Sequence, residues 1–202
     1  MANYEYIIAS LPSISKDWKF GEDKSLETYI QWIKSQLSAK DAKTVDTLLD
    51  GYKEENLNQG FYEAALKDGN RFIREYFSFD LGLRNLKARF LNEAFERPTN
   101  QDTINLETGE FKEAARVSET LAGEDILARE KGLDAIVWEK ISELTTFNYF
   151  DLDALLGIIA KMRLIERWRA LDEETGREMF QQLINETTAT FSGVNYTAPQ
   201  NE

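Results

Sequence analysis

The sequence predicts an all-α fold: a multi-helix bundle of repeated helical units, preceded by a short strand-like segment. Three observations predict it. Apolar residues recur at three- and four-residue spacings from Ser25 onward, the pattern of helices that bury one stripe. Capping residues stand before several of these runs. A composition of 42% hydrophobic and 30% charged residues is that of a globular chain.

Residues 4–9, Tyr-Glu-Tyr-Ile-Ile-Ala, alternate enough for a short strand, and could equally begin a helix. Leu11-Pro12-Ser13 breaks that element. Ser25 can cap a helix carrying Leu26, Tyr29, Ile30, Ile33 and Leu37. Asp41 can cap a second through Val45, Leu48 and Leu49, stopped at Gly51. A third helix is expected over Phe61–Phe77, with Gly69 its weak point. Ser78-Phe79-Asp80 reads as a junction before a helix to Arg97, ended by Pro98.

The polar run 98–109 is expected to be a loop between an N-terminal half, 1–97, and a C-terminal half, 110–186, packed on it. In the second half helices are expected near 110–121, 124–145 and 151–170. Asp172 would cap a last one with Met179, Phe180, Leu183 and Ile184, before a mobile tail at 187–202. Phe79-Asp80-Leu81 and Phe150-Asp151-Leu152 echo each other, as a capping coincidence or as a duplicated helical unit.

A chain of 202 residues can bury roughly 70% of its unfolded surface, so it needs no disulfide or metal to fold. The net charge of −12 repels phosphate backbones and anionic lipid, making nucleic acid a poor partner. The longest apolar stretch, near Leu155–Ala160, is far short of a membrane span, so no direct membrane insertion is expected. The start, Met1-Ala2-Asn3-Tyr4-Glu5, lacks a signal-peptide pattern, and with no cysteine the chain is expected to be cytoplasmic. Without His or Cys there is no Ser-His-Asp triad, thiol nucleophile or usual zinc site. Phosphate-binding loops of the GxxxxGK[ST] or GxGxxG type are missing too. The chain is therefore expected to be no enzyme, with no catalytic residue, metal or cofactor.

Two helices carry the candidate residues. On the one from Asp80, apolar residues cover more than half the circumference, leaving Asn85, Arg89, Asn92 and Glu93 as a narrow polar stripe. That stripe is expected to face solvent and to meet a partner. Asp80, Arg84 and Lys87 fall inside the apolar arc and must be paired or reach out to water. Asp80 with Arg84 makes a local ion pair, or the group is a charged contact for a partner. On the late helix Glu166 lies on the face of Leu155, Ile159 and Met162, among several arginines. It is expected to be a structural carboxylate paired with Arg163 or Arg169.

Residues 76–91, with Asp80, Asn85, Leu86, Lys87 and Arg89, resemble the segment in which C/d-type subunits of V/A-type rotary ATPases carry an aspartate followed by Asn-Leu-Lys and an arginine. Leu155-Leu156-Gly157 through Ile165-Glu166-Arg167 is similar to the closing helix of those subunits. The opening Tyr4–Pro12 resembles the start of a small bacterial family encoded beside V-type ATPase genes. The resemblance covers about a quarter of the chain. It implies a non-catalytic connector joining the central stalk to the rotor ring of an ATPase or ATP synthase that moves protons or sodium ions. Partners would be other subunits of that motor, with the chain peripheral to the membrane through its complex. Without that resemblance the same residues fit a general helical scaffold or adaptor, or less well a carboxylate- or Mg-dependent enzyme.

Overall fold

A computed structural model describes residues 3–21 and 24–169. The expected helix after Asp172 and the tail 187–202 lie outside the described residues, among which there are eight α-helices and no strand.

The strand-like N-terminal segment is a helix, α1 (Tyr4–Ala9). Asn3 decides this, because its side-chain oxygen accepts from the Tyr6 amide at 3.1 Å. No described strand could pair with these backbone groups, and a helix satisfies them internally. Ile7, 1% exposed, ties α1 to the core.

Helix α2 (Leu26–Gln36) starts at Ser25 as expected, with Ser25 Oγ accepting from the Thr28 amide. Helix α3 (Ala39–Asp50) starts at Ser38 and not at Asp41. Ser38 Oγ accepts from the Asp41 amide at 3.2 Å and donates to the Asp41 carboxylate at 2.7 Å, so Asp41 occupies the third helical position of a capping pair. Gly51 ends α3 for reasons of space. A Cβ there would lie 2.2 Å from the buried Phe77 ring.

The expected third and fourth helices divide differently. Helix α4 (Gln59–Leu66) is short, and α5 (Arg71–Ala94) runs straight through Ser78-Phe79-Asp80. The break falls at 67–70, where Asn70 accepts from the Ile73 amide at 2.9 Å and Asp68 accepts from the Asn70 amide at 2.7 Å. Residues 78–80 continue the helix because Phe79 is buried and Asp80 is paired. The end of α5 comes three residues before the expected Arg97. Glu96 takes a left-handed φ of 53°, and the Arg97 amide reaches back to the Asn92 carbonyl at 2.8 Å, closing a Schellman turn.

Then come α6 (Ala114–Leu121), α7 (Ile126–Leu144) and α8 (Leu152–Arg169). Asp125 caps α7 and Asp151 caps α8 through their carboxylates. Helix α8 is the central post and packs against α1, α2, α3, α5 and α7. Its Leu155, Leu156, Ile159 and Met162 have no exposed surface. One hydrophobic core runs through both expected halves, and Ile104 and Leu106 of the 98–109 loop pack on it.

Candidate functional site

Helices α5 and α7 lie antiparallel. At the start of α5, Arg71 donates to the Leu144 carbonyl at 2.7 Å and to Asn148 at 3.0 Å. Near its end, Lys87 donates to Glu130 at 3.2 Å. The sixteen residues between these contacts rise about 24 Å at 1.5 Å each.

Large apolar side chains are left exposed at both ends of this pair. At one end the turn between α7 and α8 presents Phe147, Tyr149 and Phe150, with Phe147 89% exposed. At the other, Leu91 of α5 and its C-cap residue Phe95 are exposed, as are Ile126 and Leu127 at the start of α7, with Ile126 71% exposed.

Between the two ends runs a polar network. Arg167 donates to Asp134 at 2.6 Å and also bonds Glu130, which in turn accepts from Lys87. Trp168 Nε1 donates to the other Asp134 oxygen at 2.7 Å. Burial raises the Asp134 carboxyl above the usual range, and Arg167 only partly offsets this. Burial pushes Glu130 the same way, but hydrogen bonds from Arg167 and Lys87 outweigh it and hold that carboxyl low. Sequence reasoning missed Glu130, Asp134 and Arg167 as a group. The one signal was Asp134 itself, a charge inside the apolar run Leu133–Val137.

Only half of the polar stripe on α5 faces solvent as expected: Arg89 and Glu93 do, Asn85 and Asn92 do not. Asn92 is 3% exposed and donates to the carbonyls of Thr99 and Gln101. Asn85 is half-buried, exchanging two bonds with the Ile104 backbone at 2.8 and 2.9 Å. The loop folds back over these two asparagines and uses them as anchors. Arg89 and Glu93 are exposed and form no ion pair with each other.

The expected ion pairs fall mostly into place. Arg84 meets Asp80 at 2.7 Å, and Tyr62 donates to the same Asp80 oxygen at 2.6 Å. Burial beside Asp80 raises the Tyr62 hydroxyl well above its ordinary range. Lys87 pairs with Glu130 across to α7. Arg163 meets Glu166 at 3.0 Å, whereas Arg169 turns to the Lys24 carbonyl at 3.4 Å.

Among the described residues no three His, Cys, Asp or Glu side chains gather as metal ligands, and no helix is long and apolar enough to cross a membrane.

No curated protein matches the chain, and no solved structure does. The resemblance to C/d-type subunits of rotary ATPases is corrected by the family comparison, which identifies a different family. The motif residues that carried it have places inside this fold: Asp80 holds Arg84 and Tyr62, Asn85 holds the loop, and Lys87 holds α7. Residues 51–190 match the family described as "Protein of unknown function (DUF2764)", and the chain belongs to that family.

Proposed function

We propose that the chain is a non-catalytic helical adaptor that holds other proteins at the two ends of its α5–α7 pair. The observation carrying this is the exposure of Phe147, Tyr149 and Phe150 at one end and of Leu91, Phe95, Ile126 and Leu127 at the other. Exposed clusters of large apolar side chains mark interaction sites, and aromatic residues are enriched in interface cores. The helices between them set a fixed spacing. In this reading the chain works in the cytoplasm and meets a membrane only through its partners. Its charge of −12 makes nucleic acid a poor candidate.

Affinity purification at native expression tests this, comparing the wild type with Phe147→Ser/Phe150→Ser and Phe95→Ser/Ile126→Ser. Each double variant should lose a defined co-purifying protein while keeping its melting temperature. Rotary-ATPase subunits among the lost proteins would point to a stalk connector, and other proteins to a general adaptor. Identical recoveries from all three forms would overturn the reading.

A further inference from the structure

Between the loop after α1 and helices α7 and α8 lies an open cleft of about 710 Å³. Its walls are aromatic: Trp18 and Phe20 from the loop, Trp138 from α7 and Trp168 from α8. These are three of the chain's four tryptophans. Trp18 and Phe20 pack edge to face with ring centres 4.7 Å apart. Trp168 is held by its bond to Asp134, whose second oxygen is held by Arg167. That wall is therefore set before any ligand arrives, which lowers the entropic cost of binding.

The charges around the cleft run against the rest of the molecule. Lys16, Lys19, Lys131 and Arg169 line it, against Asp17 and the already paired Asp134. Among the described residues none of these four cations forms an ion pair with a carboxylate. The Lys131 ammonium stands 5.7 Å from the Trp168 ring centre, so cation and aromatic wall are adjacent. A concave site of this size, with aromatic walls and a few charged residues in its lining, has the anatomy of a small-molecule site. Local positive charge focuses anions even on an acidic protein.

We propose that this cleft binds a planar aromatic anion, its ring against the indoles and its carboxylate, sulfonate or phosphate held by the lysines. The ring supplies stacking area. The anion supplies charge-assisted hydrogen bonds, and an uncharged ring of the same shape lacks them. This site is independent of the apolar ends.

Saturation-transfer NMR on the full chain tests it, with 2-naphthoate and its uncharged isostere 2-naphthamide as probes. Naphthoate should bind saturably and about tenfold or more tighter than naphthamide. Lys19→Glu/Lys131→Glu, at two exposed positions, should weaken naphthoate about tenfold or more and leave naphthamide unchanged. Lys131→Arg should keep binding, because it keeps the charge. Circular dichroism and a melting curve confirm that each variant is folded. Equal affinity for the two probes, no saturable binding, or naphthoate binding unaffected by the double reversal would each overturn the proposal.

Discussion

The Asn92 side-chain amide donates to the Gln101 carbonyl at 2.7 Å from a position only 3% exposed. A polar residue of α5 is thus covered by the loop it anchors. Asn92→Ala removes the donor to both Thr99 and Gln101 and should cost about 1–3 kcal/mol. Urea unfolding measures the loss, and limited proteolysis should show faster cutting within 98–106. A variant as stable and as protease-resistant as the wild type would mean that the loop is held by its apolar residues alone.

Gly51→Ala should destabilise by about 1–3 kcal/mol, because the added methyl overlaps the Phe77 ring. Phe77 has no exposed surface and packs edge-on against Phe61, Tyr62 and Tyr76, so it has nowhere to retreat. At the exposed Gly69, where a Cβ would meet nothing within 4 Å, the same substitution supplies the control. Equal melting temperatures for the two variants would refute the steric account.

Glu130→Gln should change how stability depends on pH. The folded-state carboxyl is held below its ordinary value of 4.5. Its contribution is therefore present above 4.5 and is lost as pH falls through the folded value. The gap between wild type and variant should be widest near neutral pH and close in acid. Asp134 acts in the opposite sense: its raised carboxyl favours the fold in acid, and that share is lost as pH rises through the folded value. Denaturation at neutral pH and below pH 4 checks this, and a gap that stays constant would remove Glu130 from the account.

Arg89→Glu should change folding stability by less than about 0.5 kcal/mol, since Arg89 is exposed and has no ion-pair partner among the described residues. If Arg89 contributes to a partner surface, recovery of a co-purifying protein should fall while the melting curve stays put. Unchanged recovery would leave interaction to the apolar ends.

Local relationships were legible in the sequence. Ser25 as a cap, Asp80 with Arg84 and Arg163 with Glu166 all lie within one helical turn, and spacing alone brings them together. The division of α4 from α5 was misplaced because Asn70 and Ser78 are both plausible starts. The burial of Phe79 decides between them, and burial is a tertiary fact. A helical wheel showed Asn85 and Asn92 as polar, but it could not show a loop folding over them. Glu130 and Arg167 lie thirty-seven positions apart, beyond any spacing rule. The aromatic cleft was invisible for the same reason, because its walls come from three separate stretches of chain.

The central place of α8 bears on how the chain is made. Helices α1, α2 and α3 leave the ribosome first, yet the face they pack against begins at Leu152, about a hundred residues after α3 ends. At roughly 5–20 residues per second that is a wait of about 5–20 seconds. Through it, the stripes carrying Ile7, Ile30 and Ile33 lack the helix they pack on, while α3 with Val45 can already meet α5. A translational pause before α8 would therefore lengthen the exposure of these stripes more than any pause after it.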